Sequence, residues 1–567
     1  MAKLSVRWLV MLTLGPAVAC GDDGSEPSGM TEGGSDTGTP DDDTTTAVTT
    51  TGQTLDGTTT DDPPPIEWEF PPVFGVINAD DDDANGTNDW YQPVFDGEDD
   101  VSTLAIPPVP DGYSVHLSMV GDLANARVWN GPGAFALGSG NQIVESYEFT
   151  PSPEGAELLV EFGSDNVFAG LSITLLDEDG AEVATAPVEL RSSPLILNHH
   201  LQPTEHVWVV AVNAGWGTNA DMVAVYEDVL GDHFTPVPGP SYGNDVWIQD
   251  EIQPAYGIGD QGQRADTIID SIRDRELDPF AENELEGPDV NVRTWGNPAQ
   301  VTSWDSFGNL ENSPPVTVDG VDYPLGRIYY GRQGDLGIHG DMAAQLVAQE
   351  VQAPFELDTL WLCVGHVDEF ATFVPDPDSP KGFKLLLADV PSAWALLESL
   401  PPDMALPRYG ADHGYDTVGE LLVDAALRNL NDDLQADELD VIREVFVTEL
   451  GLEESDIVYM PSLFETIGGC GGGVAALIPG MVNLIVSNLP SGETHLFVPD
   501  PYFRTDLGDQ GSDPVIDAFT ANLPDSLVPH YVDDWDVYHL GLGEVHCGTN
   551  MTRTPIANWW EVALHLL

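Results

Sequence analysis

The chain has 567 residues, 42% of them hydrophobic, and carries 96 Asp and Glu against 17 Lys and Arg, a formal net charge of −79. That length supports two or three domains with ordinary cores. The charge excludes nucleic acid and anionic lipid surfaces as partners, since both need basic contacts, and favours cationic ligands and divalent metals.

Lys3 and Arg7 precede a mostly apolar run, Trp8 to Val18, which is too short to span a bilayer and reads as the hydrophobic segment of a signal peptide. Ala17-Val-Ala-Cys20 then resembles the lipobox of bacterial lipoproteins, with Ala where Leu is usual. On this reading residues 1–20 are a lipoprotein signal and Cys20 is the acylated first residue of the mature protein. The protein is then exported and membrane-anchored only through that lipid, facing the periplasm or the extracellular space. Residues 21–65 are rich in Asp, Thr, Gly, Ser and Pro with almost no aromatics. They cannot bury enough apolar area to offset ordering entropy and read as a disordered, self-repelling tether.

Residues 66–200 show short β-rich runs between turn signals. Ser114-Val-His-Leu-Ser-Met-Val120 alternates, as does Glu157-Leu-Leu-Val-Glu161 more loosely, and no helical period is sustained. The pattern predicts an antiparallel β-sandwich. Near its start lies Asn78-Ala-Asp80-Asp81-Asp82-Asp83-Ala-Asn85-Gly86. Oxygen side chains at alternate positions can converge on one hard cation. An EF-hand is excluded, because the twelfth place counted from Asp81 holds Gln92 rather than Glu.

Residues 201–567 alternate strand-like and helical runs. Val207-Trp-Val-Val-Ala-Val212 reads as a buried strand. Val418, Leu421, Leu422, Ala425 and Ala426 share one helical face, and Leu439, Ile442 and Phe446 share another. No repeat is visible, so periodicity does not name the architecture of this α/β unit. Four cysteines spread over such a length do not make a disulfide scaffold. With Cys20 assigned to the lipid, three remain and at least one thiol is free or intermolecular. Cys470, in a glycine-rich loop, reads as incidental, and Cys363 as packing close to His366.

Four segments carry chemistry: Trp247-Ile-Gln-Asp250-Glu251, Asp305-Ser-Phe-Gly-Asn-Leu-Glu311, Gly365-His366-Val-Asp368-Glu-Phe and Glu544-Val-His-Cys547-Gly-Thr-Asn550. Together they resemble the catalytic domain of peptidyl-arginine deiminases. The likeness extends to Tyr323-Pro-Leu-Gly-Arg-Ile, Lys381-Gly-Phe-Lys-Leu-Leu-Leu-Ala, Glu449-Leu-Gly-Leu-Glu-Glu-Ser-Asp-Ile and Met481-Val-Asn-Leu, in family order from about Val207 onward. The chemistry of such a set is coherent in itself. A guanidinium is planar and resonance-stabilised. Its hydrolysis needs a strong nucleophile, a proton donor for departing ammonia, and carboxylates that hold the cation.

The resemblance implies Cys547 as nucleophile, His366 as general acid and base, and Asp250 and Asp368 as clamps. It implies Trp247 along the aliphatic stem of the substrate arginine and Arg275 on the substrate backbone, favouring arginine-containing peptides or proteins over free arginine. A second family arginine has no counterpart in His539-Leu-Gly-Leu-Gly543. The resemblance also implies calcium dependence. One expected set is Gln249, Gln253 and Glu311 with the carbonyls of Phe307 and Leu310. The other is Glu251, Asp270, Ser271 and Asp274, and a third, in the sandwich, is Asn78, Asp80 and Asp82. Gln253 replaces a family Glu and Asp274 a family Asn, which moves one negative charge from the first set to the second and predicts weaker binding at the first. The implied fold is a five-bladed α/β propeller (pentein) preceded by an immunoglobulin-like sandwich. The rival expectations are a deiminase of free arginine or agmatine and a catalytically silent calcium-binding surface protein.

Overall fold

Between Val73 and Ser192 the alternating runs form two sheets that share one core. The computed structural model describes residues 68–81, 87–91, 100–334 and 336–567. The leader, Cys20, the tether and Asp82 lie outside them. One sheet orders Val73–Gly75, Glu182–Ser192, Phe168–Leu176, Ser114–Gly121 and Ser146–Phe149; the other orders Ser102–Ile106, Ala156–Phe162, Ala126–Asn130 and Phe135–Gly138. Neighbours are antiparallel except Val73–Gly75, which runs parallel to Glu182–Ser192. The period-2 pattern sends Val115, Leu117 and Met119 inward to meet Leu104, Val128 and Val160 from the facing sheet. Each such residue contributes about 1.5–3 kcal/mol by leaving water.

After Ser192 the chain enters the α/β body, where one pairing rule recurs in five sheets among the described residues. In each, a central strand is antiparallel to the strand before it and parallel to the strand after it. Arg264–Asp270 lies between Ile252–Ile258 and Val290–Thr294. Ile328–Gln333 lies between Leu310–Asn312 and Phe355–Leu357. Phe383–Asp389 lies between Ala371–Pro375 and Ile457–Pro461. Thr494–Pro499 lies between Ile485–Asn488 and Leu527–Val532. In the fifth sheet Thr204–Ala211 pairs antiparallel with Thr549–Arg553 and parallel with Phe234–Pro238, joining the end of the chain to the start of the body. A parallel partner demands a crossover, and helices such as Ala220–Leu230, Gly340–Ala348 and Pro514–Asn522 supply it.

This repeat positions chemistry. The segments singled out from the sequence all sit just before, or at, the first strand of a sheet. Gln249, Asp250 and Glu251 precede Ile252; Phe307 and Gly308 precede Leu310; His366 and Asp368 precede Ala371; His546 and Cys547 precede Thr549. Asn483, in the Met481-Val-Asn-Leu block, holds the equivalent place before Ile485.

Two expectations are corrected. The helical face drawn through Val418 and Ala426 is broken at Asp424, whose side chain accepts the backbone N–H groups of Ala426 and Leu427 and starts a new helix, Ala425–Leu434. Val418 and Leu421 are buried as expected, but Ala425 and Ala426 are exposed. Leu439, Ile442 and Phe446 are all buried. Cys470 is not incidental and Cys363 is not mere packing. The two form a disulfide with Cα atoms 5.4 Å apart, because a bridge between Leu362 and Val474 brings their loops together. That leaves Cys547 as a buried free thiol. Among the described residues no helix is long and apolar enough to cross a membrane.

Candidate active site

The short helix Ile248–Glu251 is buried throughout and begins just after Trp247. It aims Asp250 into a cleft shared with the turn Val367–Glu369, which carries Asp368. The Glu369 side chain accepts the backbone N–H groups of Gly365 and His366, fixing the entry to that turn. His366 is 0% exposed. Its Nε2 donates to the Ser303 carbonyl at 2.9 Å, since a carbonyl only accepts. Nδ1 is therefore the nitrogen free to gain or lose a proton, and it lies 3.7 Å from Asp250 Oδ1. Gly308 floors this corner. A Cβ there would lie 2.7 Å from His366 Nδ1 and 3.0 Å from Asp368 Oδ2, so no larger residue fits without displacing both.

Cys547 faces the same carboxylates. Its Sγ lies 3.5 Å from Asp368 Oδ2 and receives the side-chain N–H of Asn483 at 3.3 Å, while Asn483 Oδ1 accepts the backbone N–H of His546 and Cys547. Asn483 thus holds both the thiol and its loop. Burial pushes the Cys547 thiol well above its usual pKa, and the charges of Asp368 and Asp250 push it further. Trp247 closes the other side. A Cβ on Gly543 would meet the Trp247 ring at 2.5 Å and Cys547 Sγ at 3.2 Å, so glycine lets the indole approach the sulfur. Tyr538 braces the indole edge-on, with ring centroids 5.6 Å apart.

The structure thus brings Trp247, Asp250, His366, Asp368 and Cys547 into one acidic cleft. Arg275 reaches it too, but on the clamp itself. Its guanidinium binds Asp250 Oδ2 at 3.2 Å, Asp245 at 3.1 Å and the Trp247 carbonyl at 3.2 Å.

The expected cation ligands divide by how their charge is balanced. Strand pairing of Ile252 with Asp270 places Glu251 beside Asp270. Both Glu251 oxygens and one Asp270 oxygen are buried without a hydrogen-bond partner. Burial raises the Glu251 carboxyl to about 9 and the Asp270 carboxyl to about 7, with nearby carboxylates adding to each. Ser271 and the exposed Asp274 follow on the same loop, and Asp274 is close enough to raise Asp270 further. Such a set fits a hard divalent cation. In the sandwich, Asn78 Oδ1 and both Asp80 oxygens are likewise buried without partners, which also fits. The set around Gln249 fits poorly. Gln249 donates to the Phe307 carbonyl and accepts from Asn550. Gln253 is neutral, and Leu310 is engaged in a strand. Glu311 sits between two imidazoles, His200 Nε2 at 3.1 Å and His546 Nε2 at 3.3 Å.

Sequence reasoning passed over His200, His546 and Asn483 as functional residues. His546 was visible beside Cys547, but its ring turns from the thiol, with Nδ1 2.9 Å from Asp368 and Nε2 on Glu311. Asn483 lay inside a recognised block, whereas nothing in Asn198-His-His200-Leu marked His200.

A family model described as Protein-arginine deiminase (PAD) matches residues 182–561. Protein-arginine deiminase type-4 of Rattus norvegicus is 34% identical over 414 residues, covering 69% of this chain and 60% of the relative. Protein-arginine deiminase type-1 of Homo sapiens is 32% identical over 534 residues, covering 86% of this chain and 77% of the relative. Type-3 of Homo sapiens is 35% identical over 429 residues, covering 70% and 61%. The chain spans 60% of the length of the rat and mouse type-4 relatives.

Proposed function

Because this chain belongs to the protein-arginine deiminase family, we propose that it hydrolyses peptidyl-arginine to peptidyl-citrulline and ammonia. The observation that carries the reading is the meeting of Cys547, Asp368, Asp250 and His366 in one buried cluster, with two carboxylates beside the thiol and the imidazole. Asp250 and Asp368 hold the guanidinium by paired charge-assisted hydrogen bonds, and Trp247 lines its aliphatic stem. In the absence of substrate the thiol is kept protonated by burial and by both carboxylates. An arriving guanidinium offsets those charges and lowers the cost of forming the thiolate.

The Cys547 thiolate then attacks the central carbon, giving a tetrahedral adduct. His366 Nδ1 delivers a proton to one amino group, which leaves as ammonia and yields an S-alkyl thiouronium. Water attacks the same carbon, His366 takes its proton, and collapse expels the thiolate to leave the ureido group of citrulline. Arg275 must release Asp250 for this to happen, and once displaced it is free to meet substrate carbonyls.

Calcium dependence belongs to the same reading. Glu251, Asp270, Ser271 and Asp274 would hold one ion, and Asn78 and Asp80 with the neighbouring acidic loop another. When bound, the first ion offsets the buried charge beside Asp250 and steadies the helix that carries it. The fivefold pairing rule supports a five-bladed propeller, and the two-sheet core supports an immunoglobulin-like sandwich. Export and lipid attachment at Cys20 complete the proposal on the strength of the leader sequence.

The test measures ammonia and citrulline from a blocked arginine peptide, free arginine and agmatine, with and without calcium. Wild type should turn over the peptide only with calcium, and Cys547→Ala should lose at least about 10⁴-fold in rate. Turnover by Cys547→Ala at the wild-type rate would sink the mechanism. Preference for free arginine or agmatine would replace the substrate, and inactivity of correctly folded wild type on all three would favour a silent binding protein.

A further inference from the structure

Glu311 is buried, with an imidazole facing each of its oxygens. Three side chains from three different parts of the chain converge here. His200 follows the strand Ile196–Leu197, Glu311 lies in Leu310–Asn312, and His546 precedes Thr549–Arg553. One ligand atom from each lies within 4.8 Å of the other two. We propose that His200, Glu311 and His546 form a binding site for a borderline divalent transition ion of the zinc class, distinct in chemistry from the hard-cation site at Glu251 and Asp270.

Donor type argues first. Two imidazole nitrogens and one carboxylate are what zinc-class ions take, whereas calcium takes six to eight oxygens. Geometry argues second. Metal–ligand bonds of about 2.0–2.2 Å at tetrahedral angles separate neighbouring ligand atoms by about 3.3–3.5 Å. His200 Nε2 lies 3.1 Å from Glu311 Oε2 and His546 Nε2 lies 3.3 Å from Glu311 Oε1, so one imidazole faces each carboxylate oxygen and a small adjustment of the carboxylate and of the His–His separation would admit one ion.

The surroundings argue third. His546 Nδ1 lies 2.9 Å from Asp368 Oδ2, so a carboxylate stands behind the histidine on the side away from the cluster. That arrangement fixes the tautomer that leaves Nε2 free to ligate and strengthens it as a donor. A cavity lined by His200, Glu311, His546, Gln249, Gln253 and Asn550 adjoins the cluster and offers room for a fourth ligand such as water. Arg553 works against an ion, but its guanidinium is committed to the carbonyls of His200, Gln202 and Val486.

The consequence reaches the cleft. An ion on His546 Nε2 leaves Nδ1–H pointing at Asp368, the carboxylate beside Cys547 Sγ. His200, Glu311 and His546 would therefore act as positioning residues for the clamp. This link to catalysis rests on the deiminase reading; the metal site itself does not.

The experiment uses chelator-stripped full chain and Co2+ as the probe, read by visible absorption without substrate, so loss of activity cannot mimic failure of the site. The expected result is one equivalent of Co2+ with the intense visible bands of a four-coordinate ion, displaced by Zn2+ and weakened at least tenfold by His200→Asn. Far-UV circular dichroism and the melting temperature of His200→Asn establish that it folds, and Glu311→Gln, which keeps the shape, should weaken binding likewise. Three outcomes would overturn the proposal: wild-type bands in folded His200→Asn, displacement of Co2+ by millimolar Ca2+, or a thiolate charge-transfer band placing the ion on Cys547.

Discussion

The helix Ile248–Glu251 borders two acidic pockets that are balanced in opposite ways. Toward Glu311 the protein supplies its own counter-groups, His200 and His546, and the pKa of Glu311 stays low although burial alone would raise it. Toward Asp270 it supplies less: Arg275 Nε reaches Glu251 only at 4.0 Å, and burial drives Glu251 and Asp270 up despite it. A buried carboxylate left short of counter-charge is costly. The first pocket therefore balances its charge without calcium. The second remains protonated, or is completed from outside.

The largest expected break in this contrast is Glu251→Gln. It removes a buried carboxylate whose oxygens lack hydrogen-bond partners, and calcium-dependent turnover at millimolar calcium should fall on the order of 100-fold, as ligand-shell changes commonly do. A loss under threefold would show that the uncompensated pocket is not a calcium site.

Next in size is Gln253→Glu, which gives the compensated pocket a second carboxylate. The added charge should turn a pocket that fits calcium poorly into one that holds it, so the half-saturating calcium concentration for activity should drop about tenfold. Unchanged calcium dependence would show that the imidazoles, not the missing charge, decide the affinity.

The smallest effect is on stability without metal. An unfolded Glu titrates near 4.5 and folded Glu251 near 9, so between those values the folded state holds a proton that the unfolded state has released. Stability therefore falls as pH rises through that window, and Asp270, raised to about 7, acts in the same direction from about 4 upward. In chelator the melting temperature should decline by several degrees from pH 5 to pH 8. Glu251→Gln should flatten that decline, and saturating calcium should abolish it. A melting temperature that rises over the same range in chelator would contradict the uncompensated state of this pocket.

What could be read beforehand follows from what each feature requires. That Cys547, His366, Asp250 and Asp368 meet was legible because each lies inside a long ordered block of the family resemblance, and the structure brings all four together. The alternating run Ser114–Gly121 was legible because one face of that strand is partly wet, whereas Ala156–Phe162, which alternates only loosely in sequence, is buried on both faces over most of its length. The fivefold body was not. Its strands are two to eight residues long and mostly buried on both faces, so the repeat lies in pairing order rather than in residue pattern. The Cys363–Cys470 bond spans 107 residues and depends on a bridge between loops, which spacing does not reveal. His200 was silent for the same reason: its partners are more than 100 residues away along the chain.

The closing sheet carries a consequence for timing. Cys547 stands two residues before Thr549–Arg553, whose partner Thr204–Ala211 is synthesised some three hundred residues earlier. On the deiminase reading, the proposed nucleophile and the strand that closes the fifth sheet are among the last parts of the chain to be made, so a product lacking the last two dozen residues would keep His366, Asp250 and Asp368 but have no Cys547 to act with them.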